Sequence, residues 1–173
     1  MNRYLLTFSL ILLAALSRLL PHPPNFAPIT ALALFGGVYL DKKHSFIVPI
    51  AAMLISDYFI GFYTGVAWVY GSFVAIGFIG LWLRNHRGVV QTVGATLVGS
   101  YVFFIVTNFG VWASSQVTYS HTFTGLVDCY VAAIPFFRNT VLGDFSYVGV
   151  MFGLYEIVRK YIPSLAPQHS MAE

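Results

Sequence analysis

The chain has 173 residues, 58% of them hydrophobic and 9% charged, with a mean hydropathy of +0.76 and a formal net charge of +3. Water-soluble domains carry about 25% charged residues, and no soluble fold of this size hides so much apolar surface. The length leaves no room for a nucleotide-binding module, no GxxxxGK[ST] loop occurs, and the basic residues sit at the ends of apolar runs rather than in a nucleic-acid-binding patch.

The first apolar run predicts helix 1 over Tyr4–Leu20. A basic start and an apolar run also suit a signal peptide. The run is long, however, and Arg18 and Pro21 stand where a small-residue cleavage site belongs, so it reads as a retained helix. The segment Pro21-His22-Pro23-Pro24-Asn25-Phe26-Ala27-Pro28 ends it. Helix 2 is expected over Ile29–Leu40. Its reach is about 18 Å, against a hydrocarbon core of about 30 Å. It must start earlier, thin the bilayer, or be shielded by neighbours. Asp41-Lys42-Lys43-His44 follows. Helix 3, Phe46–Phe62, carries Asp57. A turn at Tyr63-Thr64-Gly65 leads to helix 4, Val66–Leu83, which Arg84-Asn85-His86-Arg87 closes. Helix 5 is expected over Val89–Ala113 and helix 6 over Thr140–Tyr161. Between them Ser114–Asn139 is the longest expected non-spanning stretch. The chain reads as one membrane domain, residues 1–162, with a polar tail over 163–173 that is expected to be loose.

Residues 122–137 are apolar enough for a seventh span. With six spans, Arg3, Lys42, Lys43, Arg84, Arg87, Arg159 and Lys160 share one side with both termini, as cytoplasmic loops do. A seventh span would move Arg159 and Lys160 to the opposite side. Residues 122–137 are therefore expected to lie on the outer surface or cap the bundle. The expected fold is an all-α integral membrane protein, a six-transmembrane-helix bundle with both termini cytoplasmic. Small residues are expected to mark helix contacts: Ala67, Gly71 and Ala75 on helix 4, Ala95 and Gly99 on helix 5, Gly149 and Gly153 on helix 6.

Charged residues inside spans cost about 2.5–3.5 kcal/mol on insertion scales and mark candidate sites. Here they are Arg18, Asp57, Asp144 and Glu156. Glu156 is expected to pair with Arg159 or Lys160. On the six-span topology Arg18, Asp57, Asn108, Trp112 and Asp144 fall at similar depth near the outer mouth. The structural alternative is that Arg18 neutralises Asp57 and Arg138 neutralises Asp144; an ion pair and a ligand contact can coexist. His22 and Asn25 lie in the first outer loop, where His22 suits a cap as well as a ligand contact. Cys129 is the sole cysteine, so no intrachain disulfide forms. A lone cysteine packs as a small hydrophobe; the sharper reading is a soft ligand for a metal-containing molecule. No tight spacing joins His22, His121 and Cys129, and no resident metal or cofactor is expected. Tyr63, Trp68, Tyr70, Trp112, Tyr119 and Tyr130 suit either an aromatic belt or a stacking surface for a ring-bearing ligand. There is no HExxH, nucleophile elbow or paired-aspartate motif, so no catalytic residue is assigned and an enzyme is not expected.

The runs Ser17-Arg18-Leu19-Leu20-Pro21-His22-Pro23-Pro24-Asn25-Phe26-Ala27-Pro28 and Ala33-Leu34-Phe35-Gly36-Gly37 resemble the N-terminal signature of a bacterial family of small membrane proteins. That family is classed with transport proteins and has no settled function. Ser56-Asp57 with Gly61, Thr107-Asn108-Phe109-Gly110-Val111-Trp112, Gly125-Leu126 with Cys129-Tyr130, Pro135-Phe136-Phe137-Arg138-Asn139 and Gly143-Asp144 are similar to the same family. The architecture also resembles the substrate-binding S component of energy-coupling factor vitamin transporters. Those have six helices, both termini inside, and a site near the outer face closed by loops 1, 3 and 5. S components often carry an alanine-x-x-x-alanine pair on helix 1 that docks a coupling subunit; here Ala14 and Ala15 are adjacent. Solitary cobalamin transporters of that kind place a cysteine on cobalt, which makes Cys129 worth following.

The resemblances imply a bacterial inner-membrane, multi-pass protein that binds or takes up a small metabolite, a vitamin or precursor with cobalamin among the candidates. Its partners would be that molecule, the bilayer, and an energising ATPase with its coupling subunit; no nucleic acid is implied. The expected site is Arg18, His22, Asn25, Asp57, Tyr63, Asn108, Trp112, Cys129, Tyr130, Arg138 and Asp144. Arg18 and Arg138 would hold an anionic group. The alternative is a non-transporting accessory or assembly subunit of a membrane complex.

Overall fold

A computed structural model of the protein describes residues 3–114 and 118–162; the tail expected over 163–173 lies outside them. Among the described residues the chain is all helical: α1 Arg3–Ser17, α2 Ile29–Tyr39, α3 His44–Ile60, α4 Val66–Leu83, α5 Val89–Ser114 and α6 Phe123–Tyr161. α4, α5 and α6 are long and apolar enough to cross a membrane, and α1, α2 and α3 are shorter apolar helices. Large apolar side chains stand exposed on the outer faces, among them Phe59, Phe78, Val89, Ile105 and Val150. That is the surface expected of a bundle solvated by lipid rather than water.

α2 sits at the centre. Every residue from Ile29 to Val38 is buried, and α1, α3, α4, α5 and α6 all pack on it. A helix that is apolar all round belongs inside a bundle, so the short helix 2 is shielded by its neighbours. Small residues let it in. A Cβ on Gly37 would lie 2.6 Å from the Cα of Gly80 on α4, and one on Gly36 would lie 2.5 Å from Cγ of Pro49 on α3.

The depth of α2 organises everything else. Its first turn is level with the middle of α4 and α5: a Cβ on Gly99 would meet Thr30 Cγ2 at 2.6 Å and Ile76 Cγ2 at 3.4 Å. Its last turn meets Arg84, the residue that follows α4; Arg84 donates to the carbonyls of Gly37 and Leu40. Eleven residues thus cover only one half of the bundle, about 16 Å at 1.5 Å per residue. Beside the other half runs the irregular segment after α1, whose residues 19–25 are exposed. It descends along α6, with Asn139 Nδ2 donating to the Pro24 carbonyl at 3.0 Å and Phe26 against Gly143. Irregular backbone at such depth is tolerated where protein buries it or where it lines a cavity.

Two expectations need correcting. Residues 122–137 do not lie across the bundle. They are the first part of a 39-residue α6 that runs unbroken through Pro135, as membrane helices can when neighbours serve the freed backbone groups. The Thr122 side chain caps its start by accepting from the Gly125 amide, and this part packs along α5 through the Phe104–Tyr130 and Phe104–Phe137 ring pairs. The small-residue stripes hold only in part. Ala95 and Gly99 are buried, but Ala67, Gly71, Ala75 and Gly149 are exposed. α4 instead packs through Val69, Phe73, Ile76 and Gly80, because the close approach to α2 is made at Gly80.

Candidate functional site

The connections α1–α2, α3–α4 and α5–α6 gather at one end of the bundle, the mouth end; the opposite end is the basic end. Between the mouth end and the start of α2 lies a cavity of about 370 Å³. Of the expected site residues, Arg18, His22, Asn25, Tyr63, Asn108 and Asp144 line it. Thr30, Thr107, Thr140 and Phe103 also stand in its wall, and no sequence spacing points to them.

Arg18 follows the end of α1 directly. Its Nη2 lies 2.6 Å from Asp57 Oδ1, with side-chain exposures of 6% and 0%. Its Nη1 donates to Ser56 Oγ at 2.5 Å, and the Tyr70 hydroxyl donates to Asp57 Oδ2 at 2.7 Å. The expected neutralisation of Asp57 by Arg18 therefore holds. It also commits the guanidinium to protein acceptors, and Asp57 stands behind Arg18 rather than in the cavity wall.

Asp144 closes the cavity floor and is 1% exposed. Ser100 Oγ of α5 donates to its Oδ2 at 2.6 Å, and the Thr30 amide and hydroxyl approach the same carboxylate. Pro28, at the head of α2, gives no side-chain cap. The α6 carboxylate fills that role, where the exposed amides and the helix dipole favour negative charge. At the basic end Arg84 holds the Gly37 and Leu40 carbonyls, Arg87 Nη2 reaches the Val38 carbonyl at 3.4 Å, and its guanidinium lies 5.5 Å from the Tyr39 ring centre. α2 thus has an acid at its N-terminus and bases at its C-terminus, each from another helix or connection.

The wall also carries the polar side chains of Asn108, Asn25, His22 and Tyr63. Asn108 Nδ2 donates within its own helix to the Phe104 carbonyl at 2.8 Å. Asn25 has a φ of 61°, a conformation that asparagine tolerates better than most residues. His22 is exposed, with Nδ1 3.0 Å from the Pro23 carbonyl. Burial, then the nearby Asp57, raises the pKa of the Tyr63 phenol, so it stays a neutral hydroxyl.

Four expected site residues lie elsewhere. Trp112 donates its indole N–H to the Ser120 carbonyl at 3.0 Å and continues a row of rings from Trp68 through Phe109 to His121. Cys129 is buried between α6 and α5, its thiol 3.5 Å from the Asn108 carbonyl. The Tyr130 hydroxyl donates to the Ile105 carbonyl at 2.7 Å on the far side of that seam. Arg138 is exposed, and among the described residues it neutralises no carboxylate, so the Arg138–Asp144 pair does not form. The reason is the continuous α6, which carries Arg138 on its outward side while Asp144 points inward. Among the described residues no three His, Cys, Asp or Glu side chains gather as a metal would require.

A larger cavity, about 520 Å³, opens at the basic end between α5 and α6, with Gly149, Gly153 and Phe152 in its wall. Its acid is spoken for: Glu156 pairs with Arg159 at 2.7 Å, as expected, and accepts from the Tyr39 hydroxyl. The smaller mouth cavity is the better site candidate because buried polar side chains from separate helices converge on it. Neither the curated proteins nor the solved structures contain a match to this chain. A family model matches residues 1–165, and the chain belongs to that family, one of unknown function, DUF6580.

Proposed function

We propose that the protein is a bacterial inner-membrane protein of six spans with both termini cytoplasmic, and that its mouth-end cavity binds a small metabolite from the outer side for uptake. The basic end then faces the cytoplasm, in keeping with the positive-inside rule. One observation carries the reading: Arg18, Asn108 and Asp144, from three different parts of the chain, line one cavity under an irregular segment, with Asp57 paired behind Arg18. Half-membrane helices whose N-terminus faces a cavity are how several transporter folds hold a ligand at depth.

At about 370 Å³ the cavity stands near the lower limit of the roughly 300–1,000 Å³ typical of small-molecule sites. That suits a one- or two-ring vitamin or precursor and not a corrinoid. Cys129, turned into the α5–α6 seam, gives no thiol to a bound cobalt. An energising ATPase and coupling subunit stay part of the proposal. The exposed stripe Ala67, Gly71, Ala75 is a surface on which a partner helix packs closely, and it is also what favours the accessory-subunit alternative.

The test is thermal unfolding of purified protein against a panel of vitamins and their precursors. A ligand at 100 times its Kd adds about 2.7 kcal/mol, and Thr107→Trp, which fills the cavity, should abolish the gain. If no compound raises the melting temperature, or if the filled variant responds like the wild type, the binding reading is wrong.

A further inference from the structure

The charges around the mouth cavity do not balance. Arg18 follows α1 and α3 contributes Asp57, and these two cancel in the pair described above. α2 and α5 supply only neutral groups to the wall, among them Thr30, Thr107 and Asn108. α4 supplies the Tyr70 hydroxyl to Asp57, the α1–α2 segment His22, and the α3–α4 turn the neutral Tyr63. α6 supplies Asp144. On the same helix Arg138 and Asp128 are both exposed, off the cavity wall, and opposite in sign. Among the described residues Asp144 joins no ion pair. Its partners, the Ser100 hydroxyl and the head of α2, are neutral donors. They favour the anion without cancelling its charge.

From that imbalance we infer that the cavity takes a small organic cation, a protonated amine or a positively charged heterocycle, with its cationic group against Asp144. A buried carboxylate in a spanning segment calls for a counter-charge, and this wall gives every other charged group a partner already. Phe103, Val69 and Val111 offer the apolar side of the ligand its contacts, and Asn108 and Asn25 its hydrogen bonds. The inference rests on the outward-facing cavity proposed above. It replaces the anion site expected from Arg18 and Arg138, since the first is committed to Asp57 and the second is outside.

The experiment needs no known ligand. Thr107→Cys, on the cavity wall, is made in a Cys129→Ser background, which removes the sole native thiol. Intact cells expressing the protein are treated, above neutral pH, with three methanethiosulfonates: trimethylammonium-ethyl (cationic), sulfonato-ethyl (anionic) and methyl (neutral). Each rate is divided by that reagent's rate with a free thiol in solution. The cationic reagent should exceed the anionic one by about tenfold or more, the low end of what a cleft lined by one sign of charge achieves, and Asp144→Asn should bring the ratio close to one. Equal normalised rates, or a faster anion, overturn the inference even if Asp144→Asn does not fold, because that comparison uses the native carboxylate. A preference that survives in folded Asp144→Asn overturns it too, by placing the charge elsewhere. If the neutral reagent also fails to label, the cavity is not open to the outside, and it is the proposed function that falls, taking this inference with it.

Discussion

The Arg18–Asp57 pair makes a quantitative prediction about what holds the mouth end together. Both side chains are nearly or fully out of solvent and their atoms approach to 2.6 Å. Removing one partner leaves the other charge buried and unpaired, which costs about 3–5 kcal/mol. Asp57→Leu and Arg18→Met should each show that loss. At about 2–4 °C per kcal/mol for a chain of this length, each should lower the melting temperature by roughly 10 °C. Arg18→Met/Asp57→Leu removes both charges. What it leaves unsatisfied is the Tyr70 hydroxyl, since Ser56 Oγ still donates to the Met53 carbonyl. One unsatisfied buried hydroxyl costs about 1–3 kcal/mol, so the double variant should be more stable than either single one. The assay is thermal and denaturant unfolding of the four proteins in lipid nanodiscs, followed by tryptophan fluorescence. Strictly additive single effects, or a single variant as stable as wild type, would refute the claim that the two groups act as one buried pair.

Two further outcomes separate packing from solvation and fix a titration. Gly37→Ala puts a Cβ 2.6 Å from Gly80 backbone atoms, so α2 and α4 must separate at a cost of about 1–3 kcal/mol. Gly71→Ala meets nothing within 4 Å and should gain roughly 0.5–1 kcal/mol from helix propensity; the same unfolding assay reads both, and equal effects would contradict the packing described. In the α2–α3 connection, hydrogen bonds from the His44 side chain and then its amide hold the Asp41 carboxyl below the usual aspartate range. A depressed carboxyl pKa contributes stability above its unfolded value and loses it as pH falls through the folded value. His44→Ala should return Asp41 towards the ordinary range, as read by carboxyl carbon NMR, and an unmoved titration would show that His44 is not the cause.

Much of the fold was legible because the chain punctuates itself. Pro21 to Pro28, Tyr63 to Gly65 and Arg84 to Arg87 break the apolar runs cleanly, and the span they predict for helix 4, Val66–Leu83, is the one observed. The failures share a cause. The charge rule sets residues 122–137 apart from helix 6, yet one long helix keeps Arg159 and Lys160 at the basic end as well, and the hydrogen bond lost at Pro135 is one that its neighbours can offset. The spacing of Ala67, Gly71 and Ala75 spelled a contact stripe, but every helix has several faces, and the sequence does not say which one meets the core. The site was legible to the extent that buried charge is rare. Arg18, Asp57 and Asp144 announced themselves by their position inside apolar runs. Thr30, Thr107 and Thr140 did not, since a lone threonine in a membrane helix usually bonds its own backbone, as Thr107 does to the Phe103 carbonyl. Nothing around Ser100 in the sequence marks it as a site residue. Its actual partner, Asp144, is 44 residues away, and no periodicity reports a contact of that range.

The short helix ties stability to the proposed role. An isolated helix of 11 residues is marginal even in favourable sequences, since those below about 12–15 residues barely form in water. α2 persists because its neighbours exclude it from solvent and bracket it with charge, Asp144 at one end and Arg84 with Arg87 at the other. The two ends are not equivalent. Arg84 and Arg87 hold backbone carbonyls and an aromatic ring, and Arg87 also borders the larger cavity at the basic end. Asp144 also forms part of a cavity wall, and among the described residues no positive side chain pairs with its carboxyl group. A cation arriving at Asp144 would therefore compete with the head of α2 for the same carboxylate. On the proposed function, ligand binding and the seating of the central helix would be linked through that one side chain, and a ligand that drew Asp144 towards the mouth would loosen α2.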